Sequence, residues 1–192
     1  MLDDLITSKT RIKVLHLFLG NLGEMYHVRE IVRRVDEEIN AVRRELLLLD
    51  KKGILIREAR ANRVYYSLDT TYPFYNDLIK IHAKESGLGQ DIIKNRVKLG
   101  KIKYAMLSGD FAKNSPDTGD SVDLLVVGIV ILPELSQIIK KEELVKKREI
   151  NYTVMKEDEF NFRKSRRDPF ISSIIHGSRV MLIGDEESLI KE

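Results

Sequence analysis

Residues 39–68 read INAVRRELLLLDKKGILIREARANRVYYSL. The first half carries apolar side chains at Ile39, Val42, Leu46 and Leu49, a spacing that lines one face of a helix. Gly53 follows as a stop signal. The second half changes period. Ile54–Arg60 and Arg63–Leu68 read as two strands, and in the latter Val64, Tyr66 and Leu68 alternate with Arg63, Tyr65 and Ser67. Ala61-Asn62 makes a short turn between them, with Asn tolerating a positive φ. A helix running straight into a tight hairpin decides how the flanking sequence is read.

Two further helical patterns precede it. Residues 9–19 carry Ile12, Leu15 and Phe18/Leu19 on one face, and Asn21–Gly23 breaks the pattern. Residues 28–35 carry Val28, Ile31, Val32 and Val35, a full apolar stripe. A very short turn around Asp36–Glu38 leads into the third helix. At ~100° per residue, the stripe of that third helix leaves Arg44 nearly opposite the core, with Asn40 and Arg43 on one flank. Such a face is either simply solvated or presented to a major groove, where Asn pairs with adenine and Arg with guanine in bidentate fashion. Arg57, Arg60 and Arg63 surround the hairpin tip, where guanidinium groups reach phosphates or a minor groove.

Residues 5–68 resemble the winged-helix domains of the arsenic-repressor (ArsR-like) type of prokaryotic transcription factor. The resemblance is carried by SKTRIKVLHLFL, YHVREIVRRV, INAVRREL and KKGILIREARANRVYYSL, in that order. It implies double-stranded DNA as a partner, with Asn40, Arg43, Arg44, Arg57, Arg60 and Arg63 as the contacting residues. It also implies a homodimer on paired half-sites. Leu47 and Leu48 lie off the core stripe and read as a dimer or interdomain contact. The metal-binding cysteines of some members are missing, so metal sensing does not carry over.

The chain has 192 residues, 43% hydrophobic and 33% charged, with a formal net charge of +3. That composition suits one large packed domain or two small ones. With no Cys, a disulfide scaffold and a thiolate metal site are excluded. The four His are scattered, which argues against zinc. The longest apolar run, Leu124–Pro133, is half the ~20 residues a membrane helix needs, and the N-terminus MLDDLITSK lacks a signal pattern. No membrane partner and a cytoplasmic location are expected. Residues 1–70 hold 13 basic and 11 acidic side chains, residues 71–103 hold 7 and 3, and residues 104–192 hold 13 and 16. A basic front and a mildly acidic back fit two domains with different partners, and equally fit ordinary surface charge. The expected organisation is a DNA-binding domain at 1–70, a helical connector at 71–103 and a third part at 104–192.

That third part mixes strands and helices, so the fold class expected for the chain is α+β. Tyr104–Leu107 is a short apolar run, followed by the polar loop SGDFAKNSPDTGDS and the continuously apolar strand Val122–Val127. A helix opens at Pro133, a strand follows at Glu149–Met155, and Asp168-Pro169 starts a short helix that Gly177 stops before a last strand, Arg179–Ile183. The basic run Arg163, Lys164, Arg166 and Arg167 reads as a solvated helix end or an anion-binding rim.

The segments GDFAKNSPDTGDSVDLLVVG and REINYTV resemble the minimal nucleotidyltransferase fold of the polymerase-beta type, over about residues 88–184. In that family a Gly-Ser pair holds a triphosphate, and an Asp-x-Asp pair with a third carboxylate holds Mg²⁺. Here Gly109 stands at the Gly and Asp110 at the Ser. Ser121 stands at the first Asp, Asp123 at the second, and Asn151 at the third carboxylate. The resemblance therefore implies a degenerate nucleotide cleft with no catalytic residue set, no metal and no cofactor. Such a pseudoenzyme domain would serve sensing, dimerisation or partner binding, with a small-molecule or protein effector. The alternative is an active nucleotidyltransferase that modifies a protein or RNA, with the winged helix as adaptor. A scaffold whose domains both bind protein is a third reading.

Overall fold

A computed structural model describes residues 6–115 and 122–191. The fold is α+β, and its contacts divide the chain into two units, Met1–His82 and Ala83–Glu192.

The first unit begins with helix α1 (Lys9–Leu19), then the two-residue strand β1 (Tyr26–His27). Helices α2 (Val28–Val35) and α3 (Ile39–Lys51) follow, then the hairpin β2 (Leu55–Arg60) and β3 (Arg63–Leu68). The sheet order is β1-β3-β2, all antiparallel. This is the element order of a winged helix-turn-helix. The apolar stripes meet as the periodicity predicts: Val14, Phe18, Ile31, Val42 and Leu46 are each 0% exposed. Truncating one such Leu to Ala costs ~2–5 kcal/mol. Asp36 ends α2 in the left-handed region at φ 50°, which makes the turn into α3 tight. Gly53, at φ 73°, lets the chain reverse after α3 while Ile54 N–H bonds the Leu49 carbonyl at 2.9 Å.

Three details differ from the sequence reading. β1 was not expected, since two residues carry no readable period. The positive φ of the hairpin tip falls on Ala61 (49°) rather than Asn62. The strand before the tip starts at Leu55, one residue late.

Side chains fasten α1 to α3. Ser8 caps α1 by accepting from Arg11 N–H at 3.2 Å, and its hydroxyl donates to Glu45 at 2.6 Å. Arg11 Nε donates to the second Glu45 oxygen at 2.7 Å. Lys13 and Glu37 pair at 2.7 Å.

Helix α4 (Tyr75–Glu85) spans the division between units. The second unit continues with α5 (Gly87–Lys94), β4 (Gly100–Ser108) and the short α6 (Gly109–Ala112). The connector expected at 71–103 is therefore divided, and its last residues already belong to β4. The helical run breaks at Ser86 and Gly87, where Gly87 takes φ 51°, and restarts as α5 with Gly89 inside it and Leu88 and Ile92 buried one turn apart. Then come β5 (Leu124–Val130), α7 (Leu132–Lys146), β6 (Tyr152–Met155), α8 (Glu157–Ser165), α9 (Pro169–His176), β7 (Arg179–Ile183) and α10 (Glu186–Ile190). The sheet order is β6-β5-β4-β7. β5 and β6 run parallel, and the other pairs are antiparallel. Leu124, Leu125, Val126 and Val127 are all buried, which explains the continuous apolar character of β5. One face of the sheet, with Tyr104, Met106, Leu125 and Val127, packs against Phe160, Ile171 and Leu189. Asp168 caps α9 as expected, accepting from Phe170 and Ile171 N–H at 2.9 and 3.2 Å.

Among the described residues, no helix is long and apolar enough to cross a membrane, and no cluster of three His, Asp or Glu is placed to hold a metal ion.

Candidate functional site

In the first unit, α3 and the β2–β3 hairpin enclose a groove of about 520 Å³. Arg43 from α3, Arg57 from β2, Arg63 from β3 and Arg29 from α2 all line it. Its apolar floor includes Leu47, Val64 and Tyr66. No carboxylate lines it among the described residues.

Asp50 lies close enough to the groove floor to act on the Tyr66 phenol, whereas other nearby acids are held elsewhere. Glu45 and Glu37 bind α1, as above. Glu30 pairs with Arg34 at 2.9 Å one turn along α2. Glu38 caps α3, accepting from Asn40 and Ala41 N–H at 2.8 and 2.9 Å. Those two bonds, with the charges of Arg44 and Arg43, hold its carboxyl below the usual glutamate range.

The arginines named from sequence thus fall into distinct roles. Arg43, Arg57 and Arg63 come together in the groove. Arg57 sits opposite Tyr66 in the strand register and hydrogen-bonds its phenol. Burial pushes that phenol above its ordinary pKa, and Arg57 works against the shift. Arg60 instead makes a two-pronged bond to Glu58 at 2.9 and 3.0 Å. Asn40 and Arg44 are exposed on α3 but do not line the groove. Arg29 was missed because it comes from the preceding helix, where sequence spacing relative to the hairpin says nothing. Leu47, 55% exposed, belongs to the groove floor, whereas the sequence reading gave it to a dimer contact. Leu48 is half-buried.

In the second unit, three positions of the nucleotidyltransferase-like pattern meet at one end of the sheet. Ser108 N–H bonds the Asp123 carbonyl at 2.9 Å, and Asp123 N–H bonds the Asn151 carbonyl at 2.7 Å. Gly109 N–H bonds the Ser178 carbonyl at 2.7 Å. A Cβ on Gly109 would lie 1.9 Å from Ser178 Oγ, so this position takes glycine because the side chain of Ser178, just before β7, crosses it. Ser121 lies outside the described residues. Asp110 is exposed in the first turn of α6.

Asp123 is 3% exposed and does not face an open cleft. Its Oδ1 accepts from Arg148 at 3.1 Å, and its Oδ2 accepts from the Asn151 backbone N–H at 3.1 Å. The Arg148 guanidinium lies 5.2 Å from the Phe111 ring centroid, and Lys146 Nζ lies 4.9 Å from the same ring. Burial lowers the Lys146 ammonium from its ordinary pKa. Arg148 adds to that shift, while Glu142 and Asp123 oppose it. This arrangement does not fit a divalent cation. The Asp123 carboxylate already has a guanidinium as its counterion, the further cationic side chain of Lys146 would repel a metal, and Asn151 brings no charge. Arg148 heads the quoted segment REINYTV, but its role was missed because 25 residues separate it from Asp123 and no spacing rule pairs them.

In the basic run 163–167, Arg163 pairs with Glu159 at 2.7 Å, Lys164 binds the Leu189 carbonyl at 2.7 Å, and Arg166 stacks on Phe162. Lys164 ties α8 to α10, the other two contacts lie within α8, and Lys164 and Arg167 also line a cavity of about 500 Å³ with Lys191.

No family model and no curated protein matches this chain. Among solved structures, reduced HlyU from Vibrio cholerae N16961 is 22% identical over 42% of this chain and 81% of that one, with a TM-score of 0.34. Human N-acetylserotonin methyltransferase in complex with SAM is 9% identical over 85% of this chain and 41% of that one, with a TM-score of 0.30. Both scores are too low to speak for a shared fold. The architecture rests on this chain's own element order.

Proposed function

We propose that this chain is a DNA-binding transcriptional regulator of the winged helix-turn-helix type. Its α3 helix enters a major groove and its β2–β3 wing lies along the backbone. The observation that carries this reading is the groove with four arginines and no carboxylate among the described residues. Guanidinium groups without internal counterions are suited to phosphate and to base edges. Arg43 is the base-reading candidate. Arg29, Arg57 and Arg63 are the backbone contacts. A homodimer fits paired half-sites, and Phe74, 60% exposed just before α4, offers apolar surface for it.

The second unit is read as a nucleotidyltransferase-like domain without catalysis, serving as a sensing or partner-binding module. The Asp123–Arg148 pair supports this reading and disfavours the active-enzyme alternative, which needs carboxylates open to Mg²⁺.

The test is selection of bound duplexes from a random pool, followed by fluorescence anisotropy of the selected duplex over a salt series. Binding that strengthens as salt falls, and that prefers the selected duplex, supports the proposal. No duplex binding by the wild type at low salt overturns it.

A further inference from the structure

A second cavity, of about 260 Å³, lies in the second unit beside Asp110. Its floor is apolar, formed by the buried Met106 and Leu125 with Phe170 and Ile174. Its polar edge is narrow and chemically one-sided. Ser108 Oγ accepts from Phe111 N–H at 3.1 Å, which leaves its second lone pair to accept from a ligand. Ser178 adds a second hydroxyl, held in place across Gly109.

The charges at this edge are unequal. Arg179 lines the cavity, but its guanidinium is bound to Glu186 at 3.0 Å and to the carbonyls that end α9, those of Ile174, Ile175 and Gly177. Asp110 is exposed, and among the described residues no cation pairs with it. The cavity therefore presents a net negative charge at the mouth of an apolar floor.

From this geometry we infer that the cavity binds a small organic amine. Its ammonium group meets Asp110 and the serine hydroxyls, and its apolar body lies on Met106, Leu125, Phe170 and Ile174. A nucleoside triphosphate is excluded twice. Asp110 repels its phosphates, and the volume is below the ~300–1,000 Å³ of cavities that take drug-sized ligands. The inference gives chemistry to the sensing role proposed above and so rests on that reading of the second unit. It does not depend on DNA binding.

The experiment follows backbone amide shifts of the full chain by NMR while three probes are titrated without DNA. They are tyramine, its anionic counterpart 4-hydroxyphenylacetate, and ATP with Mg²⁺. Tyramine is expected to shift amides around Ser108, Ile174 and Ser178 and to bind at least about tenfold more tightly than 4-hydroxyphenylacetate, a discrimination of ~1.4 kcal/mol. Asp110→Asn should shrink that preference to about twofold while leaving the unliganded spectrum intact elsewhere. Ile174→Trp should fill the floor and abolish binding of both aromatic probes. Equal or tighter binding of the anion overturns the inference, as does an unchanged preference in Asp110→Asn. Absence of any tyramine shift at these amides, with ATP also silent, overturns the inference and leaves the non-catalytic reading standing. ATP shifting the same amides in an Mg²⁺-dependent way overturns both.

Discussion

The two units handle charge in opposite ways. In the first, Glu45, Glu37 and Glu30 close onto cations of α1 and α2, and four guanidinium groups line a separate groove. In the second, the buried Asp123 and Arg148 close onto each other. A charge whose partner lies within the chain is scaffold. A charge without one is available to a ligand. The same residue type, arginine, is thus structural at 148 and 60 and open at 43, 57 and 63. Nothing in the residue type itself separates the two groups.

The sharpest way to break this comparison is to remove one partner from each kind of pair. Asp123→Ala breaks the pair that Asp123 makes with the three-quarters-buried Arg148 and should cost ~3 kcal/mol, at the low end for a broken buried pair because Arg148 keeps some solvent. Glu58→Ala breaks an exposed pair and should cost less than ~1 kcal/mol. Urea unfolding of the two variants measures both, and similar costs would erase the distinction between scaffold and open charge.

The next effect is on affinity rather than stability. Arg43→Ala should lose ~1–3 kcal/mol of binding to a selected duplex and relax preference at one base position, while leaving stability within ~0.5 kcal/mol. Anisotropy with duplexes substituted at single positions reads this out. Arg44→Ala, outside the groove, should lose less.

A finer comparison lies within the wing. Arg63→Ala should weaken binding to all sequences and lower the slope of log affinity against log salt by about 1. Arg60→Ala should change the slope less, since Glu58 already holds its guanidinium. Equal slopes would show that the Glu58 pair opens on DNA.

The smallest effect is a pH dependence. The amides that Glu38 caps hold its carboxyl pKa low in the folded state. Its contribution to stability is therefore present above the unfolded value of about 4.3 and lost as pH falls through the lower native value. The stability gap between wild type and Glu38→Gln should narrow between about pH 6 and about pH 3, followed by urea unfolding at each pH. A gap that stays constant would mean that the cap acts equally well uncharged.

Much of the first unit was legible because its helices are long enough for a stripe to declare itself, as at Val28–Val35 and Ile39–Leu49. The alternation Val64, Tyr66, Leu68 likewise placed the wing's inner face. What failed was short or paired. β1, α6 and α10 are too brief to carry a period. Arg60 and Arg63 look equivalent at a hairpin tip, and only the rotamer that brings Arg60 onto Glu58 separates them. Arg29 reaches the groove from α2, which no local pattern near the wing reveals. That Ser121 and Asn151 stand where the nucleotidyltransferase resemblance would put carboxylates could be read from the sequence. The guanidinium that answers Asp123 could not, because it arrives through the turn after α7 and meets its partner only in three dimensions.

The Asp123–Arg148 contact also bears on how this sequence can change over generations. Losing Arg148 alone leaves the buried Asp123 carboxylate without its guanidinium, whereas both replaced together by packed apolar groups is close to neutral. The two positions are therefore inherited as one unit despite the 25 residues between them. Chains descended from the same ancestor are expected to carry both charges or neither. Any route to metal binding at Asp123 has to cross the unstable intermediate in which the acid remains and the guanidinium is gone.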